Sequence, residues 1–320
     1  MSVQPAYNAA SDVQNPNKGH TLADMPVHDP FILADPTSST YYLYSGASPR
    51  LNGVDRCGVL FYKSQDLKSW EGPYLAFTIP DGIWADPHHG AWAPEVHEYR
   101  GKYALFVTLH NEYRPLPGEP VQGYSQHLRG TAIAISDSPE GPFELVDPDR
   151  PIVDSSLMTL DGTLYIDENN DPWMVYCHEW VQTLDGTIEA VRLTEDLSAA
   201  ASEPMIIMRG SEAPWLDEVL PTYVTDGCQL YRTKNGNLHM LWSSYEHGSY
   251  VQTIARSASG KLQGPWEQLA PLVKNDSGHG MFFRTWDGEW MLVLHRPFSM
   301  PDSRAYLYRI SDSGDTFELA

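Results

Sequence analysis

HDPFILAD, residues 28 to 35, is the first of five related stretches in this chain, and its reading decides the fold. The others are WAPEVHEY from Trp92, LDGTLYID from Leu160, TDGCQLYR from Thr225 and GHGMFFRT from Gly278. Aligning the residue that precedes Pro or Gly places Asp29, Ala93, Asp161, Asp226 and His279 in one slot, with spacings of 64, 68, 65 and 53 positions. Each stretch then runs as an apolar strand into a turn and a second strand: Thr40 to Tyr44, Lys102 to Val107, Trp173 to Tyr176, Leu238 to Trp242 and Trp290 to Leu294. Asn235-Gly236 and Asp287-Gly288 carry the strongest hairpin chemistry, because a two-residue turn needs positive φ at both central residues. A third strand follows each time, beginning near Leu60, Thr131, Ile188, Gln252 and Ala305.

A sheet of three or four strands recurring every ~40 to 70 residues cannot bury both faces alone, so the copies must pack radially on one another. The sequence therefore predicts an all-β chain, a five-bladed β-propeller over residues 28–320 preceded by a polar extension over 1–27. That extension is a candidate for the strand that closes the ring.

With 42 acidic against 21 basic residues, the net charge of −21 disfavours nucleic acid and anionic membrane surfaces as partners. The N-terminus has neither a basic region nor an apolar run, which makes a cytoplasmic location the expectation. Cys57, Cys177 and Cys228 are odd in number and widely spaced, and read as buried thiols.

In a propeller the innermost strand of each blade runs along the central axis, so the shared slot converges on one end of the channel. A lone Asp before Pro or Gly usually satisfies a turn amide. Three carboxylates at one repeat position point instead to a pocket lined by Asp29, Asp161 and Asp226. The second strands return to the same mouth at Tyr44-Ser45, His110-Asn111-Glu112, His178-Glu179-Trp180, Ser243-Ser244-Tyr245 and His295-Arg296. Aromatic faces for sugar CH patches and fixed polar groups for hydroxyls are what a carbohydrate site needs. Trp84, Trp92 and Trp180 are the aromatic candidates among ten tryptophans, and Trp70 and Trp266 read as packing between blades.

Taken together, HDPFIL, WAPEVHEYRGKYALFVT, Leu160-Asp161-Gly162, VTDGCQLYRTKNGNLHMLWSS and GHGMFFRTWDGEWMLVLH resemble glycoside hydrolase family 43 from His28 onward. The resemblance implies an inverting glycosidase on a five-bladed propeller with three catalytic carboxylates. Asp29 then corresponds to the general base, and Asp161 to the carboxylate that orients the acid and adjusts its pKa. His279 corresponds to the axial histidine that holds Ca²⁺ or another cation in some members, so it is the candidate metal residue of a site that otherwise requires no cofactor. A neutral, hydrogen-bonded imidazole is the alternative.

The chain departs from the family at the acid, where a Glu before Gly-Pro or Ala-Pro is usual and Asp226-Gly227-Cys228 stands here. Strand register favours Asp226. Glu212, in Ser211-Glu212-Ala213-Pro214, competes by side-chain type, with Glu95 and Glu179 as weaker alternatives that also suit sugar hydroxyls. His178 and Arg296 complete the expected substrate-binding set.

By resemblance the partner is a small arabinose- or xylose-containing oligosaccharide. An exo-acting α-L-arabinofuranosidase is the first expectation, with β-xylosidase or endo-arabinanase as alternatives. The 113–127 and 217–223 loops can shape either a closed pocket or an open groove. From other classes, a catalytically inactive carbohydrate-binding propeller would tolerate the change at Asp226. A glycoside phosphorylase would need a cluster of basic groups beyond His295 and Arg296.

Overall fold

The computed structural model describes residues 9–216 and 219–320. Its five sheets surround one axis, each built from a single continuous stretch of chain. Blade 1 holds β1 (Asn17–His20), β2 (Phe31–Asp35), β3 (Thr40–Ala47), β4 (Gly58–Ser64) and β5 (Trp70–Thr78). Blade 2 comprises β6 (Ala91–Tyr99), β7 (Lys102–Pro115), β8 (His127–Ser136) and β9 (Glu144–Leu145). Blade 3 comprises β10 (Thr159–Ile166), β11 (Pro172–His178), β12 (Thr187–Arg192) and β13 (Met205–Arg209). Blade 4 comprises β14 (Asp226–Arg232), β15 (Leu238–Glu246), β16 (Ser249–Ser257) and β17 (Trp266–Gln268), and blade 5 β18 (Gly278–Arg284), β19 (Trp290–Arg296), β20 (Arg304–Asp312) and β21 (Phe317–Leu319). All neighbouring strands within the blades pair antiparallel.

The strand that precedes the repeats does not close the ring. β1 pairs with β5 on the outer edge of blade 1, covering an edge that would otherwise be open. Blades 1 and 5 are joined instead by local hydrogen bonds. Val27 N donates to Ser303 O at 3.1 Å, and the buried Ser303 hydroxyl donates to Val27 O at 2.8 Å.

The second strands are the most apolar and the most buried, because they face neighbouring blades on both sides. Leu43, Tyr44, Leu105, Val107, Val175, Tyr176, Leu241, Trp242, Val293 and Leu294 all have no exposed surface. Trp70 is likewise fully enclosed, and all three cysteines are buried free thiols.

The Asn-Gly and Asp-Gly turns are longer than the sequence suggested. Gly236 and Gly288 have φ of 85° and 79°, whereas Asn235 and Asp287 keep negative φ. Thr233 N bonds Asn237 O and Thr285 N bonds Glu289 O, so each loop places three residues between paired ends and needs left-handed backbone only at Gly.

Candidate active site

The inner strands of blades 2 to 5 break register at the top of the channel. Three residues on the inner strand span two on its partner between Trp92 and Glu95, Leu160 and Thr163, Asp226 and Gln229, and Gly278 and Met281. Each is a bulge with one extra residue, and that residue adopts left-handed backbone. Ala93, Asp161, Gly227 and His279 have φ of 44°, 56°, 58° and 51°, and Asp29 matches them in blade 1 at 48°. The fourth slot residue is therefore Gly227, one position after Asp226. Gly is also the residue that meets this φ without strain.

In four of the five slots a side chain of the preceding blade accepts from the backbone amide. Asp161 N donates to Thr108 Oγ1 at 2.8 Å, His279 N to Ser243 Oγ at 2.8 Å, Asp29 N to His295 Nδ1 at 3.2 Å and Gly227 N to Asp161 Oδ2 at 3.1 Å. Strained backbone is thus held in place by cross-blade bonds and aims side chains at the axis.

Asp29 stands among imidazoles. His28 Nδ1, His279 Nδ1 and His295 Nδ1 lie 3.1, 3.2 and 3.3 Å from its Oδ1. Burial opposes ionisation of Asp29, but His279 and His28, with a hydrogen bond from His28, outweigh it and hold the carboxyl well below the usual range. Burial holds His295 down to about 4, and it also lowers His279 despite Asp29. His28 also loses solvation, yet Asp29 and the Phe298 carbonyl more than compensate and raise its pKa.

Asp226 occupies the opposite kind of environment. Burial pushes its pKa up, a hydrogen bond from Tyr250 at 3.1 Å opposes this, and the charges of Asp29 and Glu179 push it further, to about 7. Asp161, almost fully enclosed, is raised by burial and then by Asp226 and Asp29. Asp161 and Asp226 therefore titrate as a pair that retains a proton, and Asp226 offers it to the cavity.

The cavity at this mouth has a volume of about 820 Å³, and Asp29, Asp161, Asp226, His279, Glu179, Trp92, Trp180, Tyr245, Tyr250 and Phe298 are among its walls. Trp92 is 42 % exposed and Trp180 half-buried against Tyr124. Four other sequence candidates lie elsewhere. Trp84 is 2 % exposed within the core cluster of blades 1 and 2, so it is a packing residue. Glu95 sits below the slot, bonded to His97 at 2.8 Å and facing a narrow axial space of about 10 Å³. His178 spends both ring nitrogens on Glu189 and Gln182, at 3.0 and 2.8 Å. Arg296 is turned toward Tyr306 on β20, away from the cavity walls.

Glu212 is exposed at the outer edge of blade 3, where its carboxylate accepts from Arg209 N at 3.2 Å and caps a short 3₁₀ turn. It is not in the cavity. The 217–223 loop lies partly outside the described residues, and the 113–127 hairpin leans on blade 3 through Gln126 Nε2 to Val181 O.

For Ca²⁺, which takes six to eight oxygens, the donors near His279 fit poorly. Its Nδ1 already lies between Asp29 Oδ1 and Asp161 Oδ2, the latter at 3.8 Å. Glu95 and Gln229 beside the axial space are engaged by His97 and Tyr231. The tighter cluster of His28, Asp29 and His295, with donor atoms within 4.8 Å of one another, is richer in nitrogen than a hard cation favours.

A carboxyl held low and another pushed up, both facing a single aromatic cavity, are the equipment of glycosidic bond hydrolysis. Residues 23–309 match the family model of glycosyl hydrolases family 43. The chain belongs to glycoside hydrolase family 43. Family 43 structures share its fold. An endo-arabinase from Bacteroides thetaiotaomicron VPI-5482 is 36 % identical, with TM-score 0.78 over 92 % of this chain and 98 % of that one. An endo-1,4-beta-xylanase from the same species is 22 % identical, with TM-score 0.73 over 94 % and 96 %. An exo-1,5-alpha-L-arabinanase from a bovine ruminal metagenomic library is 18 % identical, with TM-score 0.64 over 92 % and 96 %. A search of curated proteins returned no match. This family 43 enzyme is a glycoside hydrolase built as a five-bladed propeller.

His28 and Tyr250 line the cavity without being among the residues the sequence points to. His28 was legible as the first residue of HDPFILAD, and Tyr250 carried no signal because it reaches the cavity from a third strand.

Proposed function

We propose that this family 43 enzyme is an inverting, exo-acting α-L-arabinofuranosidase of small oligosaccharides that requires no cofactor. Asp29 is the general base, Asp226 the general acid, and Asp161 the carboxylate that keeps the acid protonated. The observation that carries this reading is the contrast between two carboxyls on one cavity, Asp29 held well below the usual range beside His28 and His279 and Asp226 pushed up to about 7. Asp29 takes the proton of a water that attacks the anomeric carbon, while Asp226 delivers its proton to the leaving oxygen from the other side. Inversion needs roughly 6.5 to 9.5 Å between such groups, and Asp29 and Asp226 reach the one cavity from the non-adjacent blades 1 and 4. Asp226 is one methylene shorter than the usual glutamate, and Tyr250 supports it from below at 3.1 Å.

The cavity volume of about 820 Å³ falls in the range of small-molecule pockets, which favours removal of terminal sugars. The 36 % identical structure is described as an endo-arabinase, which supports arabinose and gives a specific reason to weigh internal cleavage as the second reading.

Hydrolysis of 4-nitrophenyl α-L-arabinofuranoside, β-D-xyloside and β-D-galactoside, followed by product analysis on linear α-1,5-arabino-oligosaccharides, tests the assignment. Turnover of the arabinofuranoside with release of arabinose alone supports it. Preference for the xyloside, or release of short oligomers without arabinose, replaces it with β-xylosidase or endo-arabinanase.

A further inference from the structure

The wall between blades 2 and 3 contains a buried cation that the reaction outlined above does not use. Arg129, on β8, is 7 % exposed, and every nitrogen of its guanidinium is engaged. Nε donates to His110 Nδ1 at 2.9 Å, one terminal nitrogen donates to the Glu179 carboxylate, and the other lies 3.2 Å from His127 Nε2. Because Arg can only donate, both imidazoles must be neutral acceptors at those nitrogens. Burial and then the arginine charge lower the pKa of each, which agrees. The guanidinium plane also lies 4.7 Å from the centre of the Trp92 ring.

Arg129 therefore touches two cavity walls at once, the exposed indole of Trp92 from blade 2 and the buried carboxylate of Glu179 from blade 3. Its charge is taken up by Glu179, so the cluster does not offer the free cation a phosphate would need. Glu179 keeps a second role open, since a carboxylate has about four acceptor sites and only one hydrogen bond from Arg129 is present. It stands at the top of blade 3, beside blade 4, within electrostatic reach of Asp226.

Resting on the proposed roles of Asp29 and Asp226, we infer that Arg129 is a positioning residue that locks Trp92 and Glu179 into one rigid surface. On that surface Glu179 accepts hydrogen bonds from hydroxyls of the sugar on the leaving-group side of the scissile bond. The leaving-group side follows from chemistry: the acid must reach the departing oxygen, and Glu179 is the buried carboxylate of the adjoining blade wall. A planar fork serving three acceptors while stacking on indole is a task that Lys cannot take over.

The test compares wild type, Glu179→Gln, Arg129→Gln and the double variant on an α-1,5-arabino-oligosaccharide and on 4-nitrophenyl α-L-arabinofuranoside, whose leaving group has no sugar hydroxyls. Glu179→Gln should lower kcat/KM for the oligosaccharide by roughly ten- to a hundredfold more than for the aryl glycoside, the usual worth of hydrogen bonds to a charged acceptor. It should also move the alkaline limb of the aryl-glycoside pH profile to lower pH, because one negative charge near Asp226 is gone. Arg129→Gln leaves Glu179 buried and unpaired, so its melting temperature should fall; the double variant should recover much of that stability without recovering the oligosaccharide.

Equal losses on both substrates, or an unmoved alkaline limb in Glu179→Gln, would overturn the inference. A wild type inactive on both substrates would instead overturn the arabinofuranosidase reading itself.

Discussion

Asp29 and Asp226 are contributed by the same structural repeat and line the same cavity, yet their surroundings are opposite. Around Asp29 are three imidazoles, His28 and His279 facing its carboxylate through Nδ1 and His295 accepting from its backbone N–H. Around Asp226 are a phenol, a second carboxylate in Asp161 and a third in Glu179. A single residue type is thus held low in one place and pushed up in another by its neighbours, and the proposed base and acid roles rest on where a negative charge is welcome.

The comparison breaks most sharply at the base. Asp29→Ala should reduce turnover by roughly 10⁴-fold, the upper end for a general base, with a melting temperature close to wild type. Activity within tenfold of wild type would remove Asp29 from the mechanism. Asp226→Asn comes next, with an expected loss of roughly 10²- to 10³-fold on a natural disaccharide and at least about tenfold less on an activated aryl glycoside. Identical losses on both would show that Asp226 does not protonate the leaving group. Glu212→Gln, outside the cavity, should leave both rates within about twofold, the range of a surface substitution.

Gly227→Ala sharpens the comparison from the backbone side. An added Cβ would meet the His279 ring at 3.0 Å with φ at +58°, displacing an imidazole that touches both Asp29 and Asp161. A stability loss on the order of 1 to 3 kcal/mol and roughly tenfold lower kcat are expected, read by thermal melting and initial rates. Among the cavity substitutions the smallest effect belongs to Tyr250→Phe. Its hydroxyl stabilises the charged form of Asp226, so removing it should raise the acid's pKa and extend activity to higher pH by a fraction of a unit. A shift to lower pH would contradict the hydrogen bond's assigned direction.

The repeat made the propeller legible, because period-2 apolar strands and their turns survive in all five copies. The slot was legible in four blades and displaced by one residue in the fourth. Asp161-Gly162 and Asp226-Gly227 look alike, but the first places Asp at the left-handed position and the second places Gly there. A φ above zero is cheapest for Gly, yet Gly227 takes it and Gly162 does not, so residue type alone does not locate the slot. Trp84, His178 and Arg296 lie elsewhere for another reason: their destinations depend on loop packing and partners such as Glu189 and Tyr306, which no local pattern encodes, whereas Glu95 pairs with His97 two residues along the same strand. Arg129 was invisible for the same reason, since its meaning comes from Glu179, fifty positions away.

The most direct test of the acid and base assignment is kcat/KM against pH for the glycoside that the enzyme turns over best, in wild type and Asp226→Asn. A carboxyl raised in the fold is protonated below its pKa, so wild-type activity should fall as pH rises through about 7. The depressed Asp29 places the acidic limb below the ordinary aspartate range. The account predicts that Asp226→Asn loses the alkaline limb and keeps the acidic one. An alkaline limb that persists unchanged in that variant would assign the acid to another residue.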